Sequence, residues 1–405
     1  MKPYRMLLRD ETMVSVEDYR RRAARCVPKM VWSYVEGGAD DLTTLRANID
    51  GYARYRLRQR ALRTSGTPDL STTIARTPVA VPFAVAPTGL NGLTRWDGDL
   101  AIARAAEAAG TRCALSNGST HSIEEVAAVT KEAHWFQLYA VGDRQLVGSM
   151  IERAHNAGNS ALFVTVDSNT PGNREGERKH GFGVPLRLTP TRCLGFARHP
   201  KWLYRFLRHR RMGPINFDPS ALSGGGSRSM QGAANAVEAQ LRFMGMDLNW
   251  DDIAWIRDQW KGPFYVKGLL DPEDAKYAVD VIGAEGVIVS NHGGRQLDDV
   301  TATIDALPHI VSALGGRGEV YLDGGIRRGT DIIKALCLGA RGVFVGRAVL
   351  YGAAVSGQAG VAGVLKILRD EVHRGMVLMG CNSVADLDRS WLVHPDGSPL
   401  AETVA

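Results

Sequence analysis

Cysteine is scarce in this sequence of 405 residues, and its five cysteines follow no pattern. They lie far apart and none has the C-x-x-C spacing: Cys26, Cys113, Cys193, Cys337 and Cys381. Zinc sites, redox pairs and disulfide frameworks need closely or regularly spaced cysteines, so this spacing argues against all three. We expect no metal site, and we expect each cysteine to be a small buried hydrophobic residue.

A long apolar run is lacking as well. The longest uncharged stretch, residues 348–365, approaches the length of a membrane span but contains Ser356, Gln358 and four glycines. It is therefore predicted to be helix and loop of a protein that does not cross the membrane. The N-terminus shows neither the apolar region nor the small-residue cleavage site of a secretory signal, and we expect a cytoplasmic location.

Acidic residues are absent from one segment, although 44% hydrophobic and 23% charged residues are ordinary values for a folded protein. Residues 186–213 carry eight arginines and lysines and no aspartate or glutamate. These eight charges exceed the net charge of +6 for the whole chain, so the remainder is slightly acidic. No nucleic-acid partner is therefore expected, and the basic segment needs an explanation of its own.

Eight short apolar runs, each bounded by turn residues, are predicted to be β-strands. They cover residues 83–86, 113–116, 135–139, 162–167, 264–267, 287–290, 320–323 and 343–346. Helical patterns alternate with most of them, at residues 99–109, 123–130, 144–157, 272–282 and 331–338. This alternation predicts a parallel sheet in an α/β fold, and eight units predict a (β/α)8 TIM barrel.

We predict a single domain over residues 1–405. Residues 1–75 are expected to form an N-terminal helical cap, and residues 76–375 are expected to form the barrel. The cap has two predicted helices, residues 16–24 and 30–35. The fourth and fifth strands end 100 residues apart, so we expect a long inserted loop, residues 186–245, after the fourth strand.

Charged side chains stand at several predicted strand ends. A TIM barrel enzyme builds its site there, and a barrel needing only stability would not bury Lys267, Asp167 and Asp323 at those ends. His292 suits proton abstraction near pH 7, and Asp167 or Asp323 could orient its ring. Arg295, three residues further on, suits the capture of a carboxylate. The pattern predicts a catalytic site, whereas an isolated histidine would more often be structural.

Two glycine-rich turns follow the last two strands. Residues 323–329 read Asp-Gly-Gly-Ile-Arg-Arg-Gly, and residues 345–347 read Val-Gly-Arg. Barrels commonly bind phosphate at this place, because glycine lets backbone N–H groups approach the anion. Arg327 and Arg347 would add charged donors. We predict a phosphate site, the alternative being tight turns with surface arginines.

Six motifs occur in order at successive strand ends: FQLY, TVD, VKG, SNHGGRQLD, LDGGIRRG and VGR. Together they resemble the FMN-dependent α-hydroxy acid dehydrogenase and oxidase family over residues 14–381. PTGLNG at 87–92, PKMVWSYVEGGADD at 28–41 and HPKW at 199–202 most resemble the membrane-associated (S)-mandelate dehydrogenases within it. The resemblance implies oxidation of an (S)-2-hydroxy acid to the 2-oxo acid, with two electrons passing to FMN.

The resemblance implies a flavin lying across the barrel mouth. Pro87, Thr88 and Gly89 would face its ring, and Lys267 would lie near the N1 and O2 atoms, where a cation stabilises the reduced ring. The other implied FMN-binding residues are Ser116, Gln137 and Thr165 at the polar edge of the ring, Ser290 and Asp323 at the ribityl chain, and Gly324, Gly325, Arg327, Gly346 and Arg347 at the phosphate.

For the substrate, the resemblance implies that His292 is the base and that Tyr139 bonds to the reacting oxygen. It also favours Asp167 as the carboxylate that orients His292. Removal of the α-proton and removal of the hydroxyl proton with hydride transfer remain two open alternatives. The residues implied to bind the substrate carboxylate are Arg174, Arg295 and the hydroxyl group of Tyr34.

The substrate side chain would lie among Trp32, Gly89, Leu90 and the inserted loop. The missing side chain at Gly89 either makes room for an aryl group, as in mandelate, or reflects a requirement of the backbone. We predict an aryl substrate. The alternatives are an L-lactate dehydrogenase or a glycolate-type oxidase that uses oxygen, and, in a different class, a non-oxidising FMN or phosphate-binding barrel.

The basic segment, residues 186–213, bears on the electron acceptor. Within it, Trp202, Leu203, Phe206 and Leu207 fall on one helical stripe flanked by cations, which is typical of a helix in a membrane interface. We predict peripheral attachment to the inner face of the cell membrane, with a quinone or similar carrier as acceptor. A solvated basic face or an oligomer contact is the alternative. The resemblance also implies a homo-oligomer, such as a homotetramer.

Overall fold

Three helices and three short strands precede the barrel. They are α1 (Val16–Cys26), α2 (Lys29–Glu36), α3 (Thr43–Asp50), β1 (Arg56–Leu57), β2 (Thr72–Ile74) and β3 (Thr77–Val79). The structure, a computed structural model, describes residues 12–63, 66–140, 143–182, 189–211, 213–217 and 248–400. The two predicted cap helices are confirmed by α1 and α2, whereas α3 and the three strands are not predicted by the sequence pattern. The Ser15 side chain begins α1 by accepting a hydrogen bond from the Asp18 N–H.

Eight parallel strands then form the barrel. They are β4 (Phe83–Val85), β5 (Ala114–Ser116), β6 (Trp135–Tyr139), β7 (Leu162–Thr165), β8 (Phe264–Leu269), β9 (Gly286–Val289), β10 (Glu319–Asp323) and β11 (Gly342–Val345). All eight predicted strands are confirmed, with ends that differ by at most two residues. A last short strand, β12 (Leu392–Val393), pairs in antiparallel fashion with β1.

The barrel is almost closed. Its strands pair in the order β5, β6, β7, β8, β9, β10, β11 and β4, and a parallel bridge between Val85 and Cys113 joins the two ends. The register sets functional side chains next to one another, since Thr165 pairs with Tyr139 on one side and with Lys267 on the other. Because the strands are parallel, their carboxyl ends share one face, which is where the predicted site residues lie.

Aromatic rings fill the inside of the barrel. Successive strand residues alternate between this interior and the helices outside, so the inward-facing rings form a separate cluster. Neighbouring ring centroids in it are 5.4 to 5.8 Å apart. The antiparallel pair β2–β3 closes the amino end of the barrel, where the Ala75 N–H donates to the Tyr321 hydroxyl at 2.7 Å. The rings are those of Trp135, Phe163, Tyr265, Tyr321 and Phe344.

Helices lie between and after the barrel strands along the chain, and those outside the inserted segment cover the outside of the barrel. They are α4 (Gly98–Ala108), α5 (Ile123–Ala127), α6 (Arg144–Asn156), α7 (Glu175–Lys179), α8 (Pro190–Ala197), α9 (Pro200–His209), α10 (Trp250–Gln259), α11 (Pro272–Asp280), α12 (Thr303–Leu314), α13 (Gly329–Cys337), α14 (Arg347–Ser356) and α15 (Gln358–Met379). The five helices predicted between strands are confirmed by α4, α5, α6, α11 and α13. The alternation of strand and helix is therefore that of a TIM barrel.

The chain inserted after β7 is described in part. It contains α7, α8, α9 and a short 3-10 turn at Ile215–Phe217, whereas residues 183–188, 212 and 218–247 lie outside the described residues. The predicted loop at 186–245 and its basic segment at 186–213 can therefore be compared with the structure mainly at α8 and α9.

The stripe predicted on α9 is divided in the structure, because Trp202, Leu203 and Phe206 pack against the protein whereas Leu207 is exposed. The expectation that the first three face a membrane is wrong. Trp202 is buried, and its indole N–H donates to the Leu93 carbonyl at 2.7 Å. Leu203 and Phe206 pack with Trp202 against an apolar cluster of the cap that includes Val27, Met30 and Val31. An amphipathic helix buries its apolar face against the nearest apolar surface, and the cap supplies that surface. The residues left exposed are Lys201, Tyr204, Arg205, Leu207 and Arg208.

The uncharged stretch at 348–365 forms α14 and the first turns of α15, as predicted. Gly357 separates the two helices with a φ of +59°, a conformation that favours glycine. Within the described ranges, no helix is both long enough and apolar enough to span a bilayer.

Candidate active site

His292 and Asp167 are brought together from two strand ends. Asp167 follows β7, His292 follows β9, and Asp167 Oδ1 lies 2.9 Å from His292 Nδ1. Burial alone would raise the pKa of Asp167, but the His292 ring and the Lys267 ammonium lower that pKa below its ordinary value. Burial lowers the pKa of His292, and Asp167 only partly offsets this shift. The pair is therefore a carboxylate and a neutral imidazole at pH 7, the state that a general base needs.

Tyr139 faces the other nitrogen of the same ring. Its hydroxyl lies 3.1 Å from His292 Nε2. Because Asp167 accepts the proton on Nδ1, the Nε2 atom is the one left to accept a further proton. Burial and the Asp167 charge raise the pKa of Tyr139, so its hydroxyl stays protonated and serves as a donor. A proton acceptor and a hydroxyl donor thus meet at one point of the barrel mouth.

The backbone at His292 is held in an uncommon conformation. Its φ is +58°, in the left-handed region that non-glycine residues rarely adopt. The His292 N–H donates to Ser290 Oγ at 3.1 Å, and Gly293 and Gly294 continue the turn with φ of +66° and +73°. A Cβ on Gly294 would press on the backbone of Leu45, next to which the turn packs. Such strain is held in place by surrounding structure, and here it directs the imidazole towards Asp167.

Lys267 and Asp323 form a buried ion pair beside this base. The Lys267 ammonium lies 2.9 Å from Asp323 Oδ2 and donates to Ser290 Oγ at 2.7 Å. The second carboxylate oxygen, Asp323 Oδ1, is buried and has no hydrogen-bond partner among the described residues. Buried carboxylate oxygens need donors, so this oxygen is suited to a hydroxyl group of a ligand.

Gln137, Thr165 and Ser116 lie on adjacent strands and are all buried. Gln137 Nε2 donates to Thr165 Oγ1 at 2.9 Å, and Ser116 Oγ accepts from the Gly118 N–H at 3.1 Å. The amide oxygen of Gln137 has no partner in the part of the chain that the structure describes. An unpaired acceptor in this position is suited to an N–H donor of a planar ring.

The two glycine-rich turns carry arginines, Arg327 and Arg347, whose positive charges are not balanced by an ion pair among the described residues. Arg327 donates to the Ile326 carbonyl at 2.9 Å, and Arg347 donates to the carbonyls of Val35 and Gly37 at 3.2 and 2.8 Å. Neither guanidinium pairs with a carboxylate within the described residues. Burial and the nearby Arg295 charge lower the pKa of Arg347 to about 10. Two cations without an anionic partner at this place are suited to a phosphate.

Glycine is required in the first of these turns. Gly324 and Gly325 have φ of +101° and +74°, and a Cβ on Gly325 would clash with the Asn48 carbonyl oxygen. Gly346 precedes the first residue of α14, so the N–H groups of that helix start point to the same region.

The loop Pro87, Thr88 and Gly89 is held from both sides. The Tyr34 hydroxyl donates to the Gly89 carbonyl at 2.9 Å, and Asn91 Nδ2 donates to the Thr88 carbonyl at 3.0 Å. A Cβ on Gly89 would lie 3.1 Å from the carbonyl oxygen of the 118 peptide and 3.7 Å from the Tyr34 hydroxyl. A close approach of backbone therefore contributes to the choice of glycine here. The Tyr34 hydroxyl, predicted to bind the substrate, is occupied by Gly89 in this structure.

Arg295 and Arg174 lie in one cluster, but Arg295 already has a carboxylate partner. Its Nη2 lies 2.8 Å from Glu177 Oε1, and its Nη1 donates to the carbonyls of Tyr34 and Gly37 at 2.6 and 3.2 Å. Arg174 Nε donates to the Arg295 carbonyl at 3.1 Å, and its Nη2 donates to a side-chain amide oxygen. Both guanidiniums therefore have fixed positions at the edge of the site.

Three residues of the site are not found by the sequence patterns: Ser168, Glu177 and Gln296. Ser168 Oγ donates to Asp167 Oδ1 at 2.9 Å, and Gln296 Nε2 donates to the Asp167 carbonyl at 2.9 Å. Each of these two directly follows a predicted residue, and that adjacency is the available signal. Glu177 pairs with an arginine 118 residues away in the chain. The sequence contains no local signal that would predict this pair.

The unsatisfied groups together fit FMN. Gln137 Oε1 would accept from an N–H of its ring, Asp323 Oδ1 would accept from a hydroxyl of its ribityl chain, and Arg327 and Arg347 would bind its phosphate. Lys267 supplies a fixed cation beside Asp323. These donors and acceptors thus match a ligand that carries a planar ring with an N–H group, hydroxyl groups and a phosphate.

Known proteins support the same conclusion. Residues 23–394 match the family of FMN-dependent dehydrogenases. The chain is 39% identical to 2-hydroxyacid oxidase 1 of Mus musculus, over 93% of this chain and 96% of that protein. It is 39% identical to glycolate oxidase 1 of Oryza sativa subsp. indica, over 96% of this chain and 98% of that protein.

A solved structure agrees with these sequence matches. The crystal structure of the monotopic membrane protein (S)-mandelate dehydrogenase matches with a TM-score of 0.88 and 37% identity, covering 95% of this chain and 100% of that chain. Fold, matched family and the FMN-shaped set of donors and acceptors agree. The chain therefore belongs to the FMN-dependent dehydrogenase family, and it is an FMN-dependent oxidoreductase that acts on the CH–OH group of 2-hydroxy acids.

Proposed function

We propose that this enzyme oxidises an aryl (S)-2-hydroxy acid, similar to mandelate, and passes the electrons to a quinone or similar carrier in the membrane. The observation that carries the proposal is the outer surface of α8 and α9. There Leu194, Tyr204 and Leu207 are 55%, 65% and 57% exposed, although they are large and mostly apolar. Exposed apolar groups of this size, on two consecutive helices that also carry cations, are typical of a membrane-binding surface.

Fixed attachment of α9 to the protein supports this proposal. Trp202 on the inner side bonds to Leu93, and Arg211 just beyond the helix pairs with Glu125 at 2.5 Å. These contacts fix the orientation of α9, so its outer side chains point away from the cap. Lysine and arginine side chains beside them suit the anionic inner leaflet of a cell membrane.

Apolar side chains near Tyr34 and Gly89 favour an aryl substrate. Trp32 and Leu90 pack against the apolar cluster beneath α9. Phe182 stacks on Tyr34 with ring centroids 4.7 Å apart. If these side chains line the substrate pocket, as we propose, they suit a phenyl ring better than the hydrogen or methyl group of glycolate or lactate.

Each polar side chain has one task in the proposed reaction. Arg174 and Arg295 bind the substrate carboxylate, and the Tyr139 hydroxyl donates to the reacting oxygen. His292 Nε2 accepts the proton, and Asp167 stabilises the imidazolium that forms. FMN, when bound, accepts the two electrons. These roles are the same whether His292 takes the α-proton or the hydroxyl proton.

A second candidate is an oxidase that acts on a small aliphatic 2-hydroxy acid and uses oxygen. The observation that favours it is the 39% identity to 2-hydroxyacid oxidase 1 and to glycolate oxidase 1. An L-lactate dehydrogenase belongs to the same group of alternatives, because only the substrate side chain and the acceptor distinguish these enzymes.

Anaerobic reduction of the flavin separates these candidates. We expect (S)-mandelate to reduce it with a higher kcat/KM than (S)-lactate or glycolate. The reduced enzyme is then mixed with ubiquinone-1 or with air-saturated buffer, and we expect faster reoxidation by the quinone. Preference for glycolate or lactate together with fast reoxidation by oxygen would establish the oxidase instead.

Vesicle sedimentation tests the membrane surface directly. We expect binding to anionic vesicles at low salt, weaker binding as salt rises, and loss of binding in the variant Leu194→Ser/Tyr204→Ser/Leu207→Ser. The matched control is Val281→Ser/Leu378→Ser, which removes two other exposed apolar side chains, 62% and 59% exposed. A change of oligomeric state in the first variant, with vesicle binding intact, would assign this surface to contacts between copies of the chain.

A further inference from the structure

Two arginines border the substrate site, but only one of them has a carboxylate partner. Arg295 pairs with Glu177, and both side chains are largely buried, with 13% and 7% exposure. Arg174 donates only to neutral oxygens, the Arg295 carbonyl and Gln296 Oε1, among the described residues. The pair of arginines therefore presents one uncompensated positive charge.

The other charged groups beside the base add no further positive charge. Lys267 is paired with Asp323. Asp167 is charged beside a neutral His292 ring, so it adds a negative charge on the side of the base. A first carboxylate on the substrate is compensated by Arg174, whereas a second carboxylate would meet no spare cation in these groups and would be desolvated at a cost.

Glu177 is close enough to the two arginines for its charge to affect the electrostatic potential of the site. It lies in α7, packed beside Gly37, to whose carbonyl Arg295 also donates. Because the Glu177 carboxylate is buried, solvent screens its charge weakly, and its effect reaches several ångströms into the pocket. The main-chain oxygen of Glu177 accepts from the Phe182 N–H, which fixes the loop that carries it.

We propose that Glu177 makes this enzyme selective for 2-hydroxy acids with a single carboxylate and against those with two. The inference rests on the proposed function in one respect, that Arg174 and Arg295 bind the substrate carboxylate. Glu177 neutralises one of the two arginines, so that the site accepts one negative charge. It is a specificity-determining residue that does not itself touch the reacting atoms.

Titration of the FMN-loaded protein with a matched pair of acids tests this proposal. Propionate carries one carboxylate and malonate carries two at pH 8, and binding of each is followed by the change in flavin absorbance. In the unchanged enzyme we expect propionate to bind more tightly than malonate. In Glu177→Gln, which keeps an oxygen for Arg295 but removes the charge, we expect the ratio of the two dissociation constants to shift about tenfold towards malonate.

Two further variants separate charge from structure. Glu177→Asp keeps the charge and should retain the preference for propionate. Arg174→Gln/Glu177→Gln again has one uncompensated arginine, so its ratio should return towards that of the unchanged enzyme, even if Glu177→Gln alone folds poorly. Glu175→Gln is the matched control, because it removes an exposed carboxylate from the same helix and should leave the ratio as it was.

The outcomes distinguish this inference from the proposed function. If both acids bind to Glu177→Gln in the ratio found for the unchanged enzyme, Glu177 does not set selectivity and the inference is overturned. The same follows if Glu177→Asp shifts the ratio as much as Glu177→Gln does. If neither acid perturbs the flavin of the unchanged enzyme, the carboxylate site itself is misplaced, and the proposed substrate binding is overturned with it. Faster reduction by (S)-malate relative to (S)-lactate in Glu177→Gln would be the matching result in turnover.

Discussion

The carboxylate of Asp167 lies 2.9 Å from Nδ1 of His292, so a residue after β7 fixes the tautomer of a residue after β9. Ser168 and Gln296 each bond to Asp167 and hold it in place. Asp167 thus orients the His292 base, and Ser168 and Gln296 orient Asp167. Loss of any one of these side chains should therefore disturb the position of the base.

Replacement of Asp167 by Asn should lower the rate of flavin reduction about 10²- to 10⁴-fold, because the amide cannot stabilise the imidazolium and permits the wrong tautomer. FMN should remain bound, since Asp167 belongs to the base and not to the predicted cofactor contacts. Anaerobic stopped-flow reduction by the hydroxy acid measures the rate, and the flavin spectrum measures occupancy. A rate near that of the unchanged enzyme would remove Asp167 from the catalytic set.

The pH dependence of kcat/KM should report His292. Burial lowers its pKa below the ordinary 6.5, and the base works only when neutral. Activity should therefore rise with pH, reach half its maximum below pH 6.5 and stay level through neutral pH. In Asp167→Asn the midpoint should move to still lower pH, since the Asp167 carboxylate raises the pKa of His292. A midpoint that moves upward would contradict this assignment.

The barrel and most of its site could be predicted from the sequence. The strand runs are short, apolar and sharply bounded, and parallel strands place their ends on one face, so Lys267, His292 and Asp323 could be grouped from the sequence alone. The unpaired oxygens at Gln137 and Asp323 could not be predicted, because they depend on which neighbouring side chains take up the other hydrogen bonds.

Contacts between distant segments account for what the sequence did not show. Glu177 lies in the inserted chain and Arg295 follows β9, so their ion pair depends on the tertiary fold. Trp202 points inward because the cap offers an apolar surface that no local pattern reveals. The left-handed backbone of His292 follows from the packing of its turn against α3 and not from its own preference.

Replacement of Arg295 by Lys should raise KM at least about tenfold and also slow flavin reduction. The guanidinium contacts Glu177, Tyr34 and Gly37. One ammonium cannot keep these contacts and also bind the substrate carboxylate, so substrate binding should weaken. Steady-state and stopped-flow kinetics separate the two effects. Arg369→Lys, at an exposed arginine of α15, is the control and should change neither parameter. Unchanged kinetics in Arg295→Lys would place carboxylate binding elsewhere.

Replacement of Lys267 by Met should destabilise the protein by about 3–5 kcal/mol, because it leaves the buried Asp323 carboxylate without its cation. Addition of Asp323→Asn should recover part of this loss, since the second change removes the uncompensated charge. Urea unfolding of the four proteins of this double-mutant cycle measures the coupling. Equal and additive losses would show that the two side chains do not stabilise each other.

Replacement of Trp202 by Ala should detach α9 from the cap while the barrel stays folded. The change removes a buried ring and its hydrogen bond to Leu93, a loss of about 3–5 kcal/mol for a residue of this kind. Because α9 lies outside the barrel, the loss should appear as local opening, measured as faster amide hydrogen exchange and earlier proteolysis within α9.

Tyr204→Ala, on the exposed side of the same helix, should change neither measurement, since surface substitutions usually cost less than about 0.5 kcal/mol. Reduction of the flavin by the hydroxy acid should survive in both variants. Unchanged exchange in Trp202→Ala would mean that other contacts hold α9, and the inner face would then not be its anchor.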